Sequence, residues 1–120
     1  MFTDLVLKTL DDEPGFFEVV NDVFYTWTDE DQIDHRYIVV AGTKTDLASI
    51  PRFLRWAFNR TGRSRKPAVF HDDMYSKKWR TRKECDQMFK QMLIERGVSR
   101  WSAAIYYSGV RAGGWTRGRW

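Results

Sequence analysis

The hydrophobic pattern of this chain changes its period once, at Gly42, and that change most restricts the fold. Before Gly42, apolar and aromatic residues come in short β-branched runs, which are typical of strands. After it, apolar residues recur every three or four positions, which is typical of helices. The sequence therefore predicts an α+β fold, in which a small antiparallel sheet from the N-terminal third packs on a cluster of about four helices.

The predicted sheet is a short meander whose strands are joined by polar turns. We expect strands over residues 2–7, 16–20, 23–27 and 37–41. Acidic segments between them supply turn residues. The last strand, Tyr37 to Ala41, contains no charged residue, so we expect it to be buried on both faces.

The predicted helices are bounded by recognisable start and stop signals. We expect helices over residues 51–58, 67–78, 81–97 and 99–112. Pro51 and Pro67 suit first turns, and Thr81 with Glu84 has the spacing of a capping box. Gly97 is expected to end the third helix, and Ser99 to cap the fourth.

The length of 120 residues suits a single domain over 1–120. Within it we distinguish a strand-rich acidic part (1–41), a helical basic part (42–115) and a loose tail (116–120). One cysteine, Cys85, excludes a disulfide framework within the chain and a thiolate zinc finger. No apolar run approaches the ~20 residues of a membrane span, and the N-terminus lacks the features of a signal peptide. We therefore expect synthesis in the cytoplasm.

Charge is divided unevenly along the chain. Residues 1–34 contain ten acids and one base, whereas residues 35–120 contain nineteen bases and six acids. The resulting balances of −9 and +13 sum to the net charge of +4. The asymmetry indicates a polyanionic partner, or docking of acidic strands against basic helices, or surface charges that are only solvated. The candidate binding residues are Arg60, Arg63, Arg65, Lys66 and Arg111.

An acid lies on the apolar stripe of the third predicted helix. At 100° per residue, Asp86 is about 20° from Leu93 and about 60° from Phe89. A buried carboxylate is costly without a partner. His71 and Tyr75 are candidate partners for Asp86, because they lie four positions apart on one face of the preceding predicted helix.

We therefore predict a hydrogen bond between His71 and Asp86, with Asp46 and Asp72 nearby. A carboxylate on one ring nitrogen leaves the other available as a base, which is the minimum for a water-activating dyad. The same bond can instead be a structural clamp between two helices, and the sequence leaves both interpretations open. Around Asp46, an Asx turn and a helix cap at Ser49 are the structural alternative.

We make simpler predictions for three further residues. Asp73 precedes Lys77 by four positions and is expected to form an exposed helix pair with it. Cys85 is expected in the core, and His35 in a solvated turn.

Four motifs occur in a specific order along the chain. They are Thr45-Asp46-Leu47-Ala48-Ser49-Ile50-Pro51, His71-Asp72-x-x-Tyr75, Cys85-Asp86-x-x-Phe89 and Gly109-Val110-Arg111-Ala112-Gly113-Gly114. The series resembles the phage and prophage family catalogued as domain of unknown function 1353, over about residues 40–115. The resemblance implies a phage origin and synthesis in the host cytoplasm. It also implies roles in the virion or in host lysis, with other phage or host proteins as partners.

The second motif is also similar to the catalytic helix of secreted phospholipase A2. That resemblance implies that His71 activates water and that Tyr75 and Asp86 orient it. It also implies that Asp72 holds calcium, with Asp46 as a further oxygen ligand. This chain lacks the disulfide cysteines and the glycine-rich calcium loop of that family.

Three functions follow from these patterns. The first is a phage accessory or virion component, associated with the tail or baseplate, which uses its basic loop and tail for binding. The second is a metal-assisted hydrolase, with His71, Asp86 and Tyr75 as catalytic residues. The third is a nucleic-acid-binding module, indicated by a sequence pI of 9.4.

Overall fold

The structure, a computed structural model, describes residues 2–9, 17–45 and 65–113. The chain divides into two compact units, Met1–Asp46 and Leu47–Trp120. Every strand in the described part belongs to the first unit and every helix to the second. This order confirms the predicted α+β class. The single domain over 1–120 remains a prediction.

The strands form two small antiparallel sheets rather than one meander. Their bounds are β1 (Leu7–Thr9), β2 (Phe17–Val19), β3 (Val23–Thr28), β4 (Asp34–Val39) and β5 (Lys44–Thr45). One sheet has the order β1-β2-β5, and the other is the β3–β4 hairpin. The described part thus confirms the second and third predicted strands.

The first predicted strand is displaced towards the C-terminus. Residues 2–7 were expected to be extended and paired, but β1 begins only at Leu7. Phe2 forms an isolated bridge with Tyr25. The strand β5 was not predicted, because it contains two residues and pairs with β2 about 27 positions earlier.

The hairpin buries only one face of β4, which contradicts the predicted burial on both. Val23 pairs with Val39 and Tyr25 with Tyr37, and all four side chains are buried. Ile38 on the opposite face is 39% exposed. An apolar run cannot specify whether a second layer covers its other face, so the pattern overestimated the burial.

Three helices are described, and their bounds agree closely with the sequence. They are α1 (Arg65–Lys77), α2 (Arg82–Glu95) and α3 (Arg100–Gly113). The first predicted helix, over 51–58, lies outside the described residues, as do the tail and the basic loop up to residue 64.

Capping residues fix both ends of α2. Thr81 is the N-cap, and its Oγ1 accepts a hydrogen bond from the Glu84 backbone N–H at 3.2 Å. Gly97, with φ of 91°, follows the helix in the left-handed region.

The start of α3 is capped in the same way, because Ser99 Oγ accepts a hydrogen bond from the Ser102 backbone N–H at 3.2 Å. These contacts confirm the predicted caps.

The helices pack around a common apolar core. Its buried members are Ala68, Phe89, Leu93, Ala103, Tyr106 and Val110, with Ile94 and Val98 packed against them. Residues 67–75 of α1 are all buried, so this helix is covered on every side. The buried polar side chains of α1 therefore need hydrogen-bond partners within the protein.

Candidate functional site

The carboxylate of Asp86 lies between α1 and α3. Its Oδ1 is 2.6 Å from His71 Nε2 and also accepts the hydroxyl hydrogen bond of Tyr75. Its Oδ2 accepts from Arg111 Nη1 at 3.0 Å. The His71–Asp86 hydrogen bond predicted from the sequence is therefore present, and donors from both neighbouring helices satisfy the acid.

The local sequence explains how these side chains converge. His71 and Tyr75 are one helical turn apart on α1, so both point to the same side. Asp86 lies between the buried residues Cys85 and Phe89 on the inward stripe of α2. The His71 ring packs against Phe89, with 4.7 Å between centroids. Apolar packing on α2 thus orients the ring towards the carboxylate.

The electrostatics keep Asp86 ionised. Burial raises the pKa of its carboxyl, but the hydrogen bonds from His71, Tyr75 and Arg111 outweigh burial and lower the pKa below its ordinary value. Burial and, after it, the hydrogen bond to Asp86 raise the pKa of the Tyr75 hydroxyl. An ionised carboxylate can only accept, so Tyr75 and His71 Nε2 are both donors. The bond to Asp86 consequently fixes which ring nitrogen of His71 carries hydrogen.

A further arginine, which the sequence pattern did not predict, supports the cluster. Arg82 lies one turn before Asp86 on α2, and its Nη1 is 3.8 Å from Asp86 Oδ2. The same Nη1 donates to the backbone carbonyl of Arg111 at 3.1 Å. Arg82 is only 9% exposed. A basic residue at i−4 on the apolar stripe was the signal that could have revealed it.

A scan against protein-family models matches residues 17–110 to a family described as "Protein of unknown function (DUF1353)". The match covers most of the 120 residues. The chain belongs to this family. Searches of the curated proteins and of the solved structures found no match.

The family match includes most of the described strands and helices. It begins at β2, well before residue 40, where the resemblance was expected to start, and it ends within α3. The whole Asp86 cluster except Arg111 lies inside it, and Arg111 follows immediately. The description of the family states no activity.

Only one of the two acids predicted as calcium ligands lies in the described part of the chain. Asp72 is buried, with 6% exposure, one residue after His71 on α1. Asp46 lies outside the described residues. No group of three or more His, Cys, Asp and Glu side chains in the described part is arranged to hold a metal ion. Calcium prefers 6–8 oxygen ligands, and Asp72 by itself supplies at most two. Calcium binding therefore stays a prediction.

Only two of the five predicted binding residues have side chains in the described part of the chain. Arg111 directs one nitrogen to Asp86, and its side chain is 31% exposed. Lys66 is half-buried at the start of α1. Arg60, Arg63 and the side chain of Arg65 lie outside the described part. A binding role for these five residues stays a prediction.

Two of the simpler expectations were wrong. Asp73 does pair with Lys77, at 3.0 Å, but its side chain is only 5% exposed because α1 is covered on all sides. His35 is not merely solvated: its Nε2 is 2.7 Å from Asp29 Oδ2, and its ring stacks on Trp27 at 5.1 Å. Cross-strand pairing of Trp27 with His35 brings these rings together.

Cys85 is a buried thiol in the core, as expected. Burial raises its pKa to about 11. The thiol therefore stays protonated at neutral pH, which does not suit a nucleophile.

Proposed function

We propose that this DUF1353 protein is a phage-encoded accessory hydrolase in which His71 activates the attacking water. The observation that carries the proposal is the double hydrogen bond to Asp86 Oδ1 from His71 and Tyr75. A buried ionised acid that fixes a histidine tautomer is the arrangement that general bases use.

The chemistry follows from the tautomer. Because His71 Nε2 donates to Asp86, Nδ1 carries the lone pair that can accept a proton. In the proposed reaction, water attacks an acyl carbon while Nδ1 takes its proton. The same proton then passes to the departing alkoxide, so that an ester and water give an acid and an alcohol. Asp86 stabilises the imidazolium, and Arg111 holds the second carboxylate oxygen.

The resemblance to secreted phospholipase A2 supports an acyl ester as substrate. That resemblance implies that Tyr75 and Asp86 orient His71. The hydrogen bonds of His71 and of Tyr75 to the same oxygen of Asp86 support this part of the proposal. In the same resemblance Asp72 and Asp46 would hold calcium, which would polarise the carbonyl oxygen.

A second candidate function is a virion component in which the cluster clamps α1 to α2. The observation that favours it is burial, because His71 and Asp86 are both 0% exposed. Substrate must reach Nδ1 of His71 in a hydrolase, whereas a clamp needs no access. Its partners would be other phage or host proteins, either in the particle or in the host cytoplasm.

Activity measurements distinguish the two functions. We expect the wild-type protein to release acid from a chromogenic short-chain ester or from phospholipid vesicles. His71→Gln should lower this rate at least ~100-fold, the usual contribution of a general base. The matched control is His35→Gln, which replaces the other histidine and should leave the rate unchanged. If the wild type hydrolyses neither substrate, or if His71→Gln is as active as the wild type, the hydrolase proposal is rejected in favour of the clamp.

Thermal stability tests the calcium ligands separately. Calcium should raise the melting temperature of the wild type by mass action, and Asp72→Asn should abolish that increase. Asp73→Asn replaces the adjacent buried acid and should keep it. If calcium, magnesium and zinc all leave the wild-type melting temperature unchanged, the metal is dropped from the proposal.

A further inference from the structure

The outward face of α3 exposes large apolar side chains to solvent. Trp101 is 77% exposed, and Ile105 is 42% exposed. The opposite face of this helix is buried through Ala103, Tyr106 and Val110. Exposure of most of a tryptophan side chain is unusual, because an aromatic ring left in water loses the large free energy of burial.

These side chains form a continuous stripe. At 100° per residue, positions 101, 104, 105, 108 and 112 fall within an arc of roughly 100°. They line a shallow groove of about 430 Å³ together with Gly109. Small residues make up the rest of the stripe, so Trp101 and Ile105 stand out from it.

The charged residues of α3 and of the segment before it are all arginines. After Glu95, the described residues 96–113 contain Arg96, Arg100 and Arg111 and no acid. Arg100 is exposed beside Trp101 at the start of α3. On the flank of the helix, Lys90 Nζ lies 5.6 Å from the ring centroid of Tyr107.

The chemistry of this face selects its partner. A nucleic acid needs cations on the contact surface itself, whereas this stripe is apolar with cations at its edge. A second copy would bring two such stripes together, and residues 96–113 contain no acid that could pair with the arginine beside the other stripe. An apolar stripe with exposed tryptophan and flanking arginines is typical of helices that lie in a membrane interface. No described helix is long and apolar enough to span a bilayer, so contact through α3 would be peripheral.

We propose that the exposed face of α3 docks on an anionic phospholipid bilayer, with Trp101 and Ile105 entering the boundary between headgroups and acyl chains. Arg100 contacts the anionic headgroups beside them. This surface is independent of the hydrolase proposal, because a structural protein can also dock in this way.

The test is sedimentation of the full chain with vesicles of phosphatidylcholine, with and without phosphatidylglycerol. The protein should bind the anionic vesicles, and bind them less as salt is raised. Trp101→Ala should weaken binding about tenfold. Arg100→Gln should weaken it about fivefold and should reduce the salt dependence.

The matched pair of variants is Ile105→Ser and Ile33→Ser. Both remove an exposed isoleucine, since Ile33 is 55% exposed in the β3–β4 turn. Only Ile105→Ser should reduce vesicle binding, and both variants should keep the wild-type circular dichroism. His71→Gln should bind vesicles like the wild type, so failure of the hydrolase leaves this result unaffected.

Three outcomes would overturn the proposal. The first is equal binding to neutral and anionic vesicles, or none to either at low salt. The second is wild-type binding by Trp101→Ala. The third is occupation of the face by another partner, recognised when Trp101→Ala abolishes a dimer or binding to a DNA duplex while vesicles are not bound.

Discussion

The Asp86 side chain accepts hydrogen bonds from α1 and α3, so its replacement affects more than one helix contact. Asp86→Asn keeps the volume but removes the charge that faces His71, Tyr75 and Arg111. An abandoned buried partner typically costs about 1–3 kcal/mol. We expect the free energy of unfolding to fall by about that amount in urea titrations.

The control for this substitution lies on the same helix. Glu84 is an exposed acid with Arg80 at 3.9 Å, and glutamine can keep its capping geometry. Glu84→Gln should change the free energy of unfolding by less than about 0.5 kcal/mol. If Asp86→Asn is equally harmless, the cluster does not stabilise the fold.

The pH dependence of stability belongs to the same residue. Burial alone would raise the pKa of Asp86, but its hydrogen bonds hold it below the ordinary value of 3.8. A group with a lowered folded-state pKa contributes stability above its unfolded pKa, and this stability is lost as the pH falls towards the folded value. The wild type should therefore lose stability steeply below about pH 4, and Asp86→Asn should lose less over the same range. Parallel acid profiles for the two proteins would contradict this assignment.

The C-terminal ends of α1 and α2 have the same backbone geometry with different residues. The Trp79 N–H bonds to the Met74 carbonyl and the Lys78 N–H to the Tyr75 carbonyl, which is a Schellman motif. Gly97 occupies the equivalent position after α2, with φ of 91°, whereas Lys78 has φ of 50°. A side chain in this left-handed region is strained.

Exchanging the residue type at these two helix ends should have opposite effects. Lys78→Gly should raise the free energy of unfolding by about 0.5–1 kcal/mol, because it relieves the strain. Gly97→Ala should lower it by about 1 kcal/mol or more, because it introduces strain. Urea unfolding of both variants checks the pair. A loss of stability in both would show that helix propensity or side-chain contacts dominate at Lys78.

At the scale of the whole molecule, the two compact units differ strongly in charge. Met1–Asp46 contains eleven acids and three bases, a balance of −8. Leu47–Trp120 contains five acids and seventeen bases, a balance of +12, and the two sum to +4. The first unit is small, and its described strands have two to six residues. Sheets of this size are marginally stable by themselves.

We therefore expect the chain to unfold in one cooperative transition. Amide NMR signals of Val39 in the first unit and Phe89 in the second should disappear at the same urea concentration. Asp86→Asn should shift both midpoints together, although Asp86 belongs to the second unit. A Val39 midpoint that stays constant while that of Phe89 shifts would mean two independent domains.

Features with short-range causes could be predicted from the sequence. The bounds of the helices follow from periodicity and from capping residues such as Thr81 and Gly97, which act within one turn. The His71–Asp86 bond was also predictable, because an acid on an apolar stripe requires a partner and the preceding helix offered one. The strands over 17–19 and 23–28 have local signals of similar strength.

Tertiary structure alone decided the features that depend on distant segments. The pairing of β5 with β2, the exposed side of β4 and the burial of Asp73 all depend on which segment covers a surface. The approach of Arg111 to Asp86 joins residues 25 positions apart on different helices. A sequence shows which side chains need a partner or a cover, because local geometry sets the faces of each element. Only the packed chain decides which distant group fills that need, because packing chooses among many contacts of similar energy.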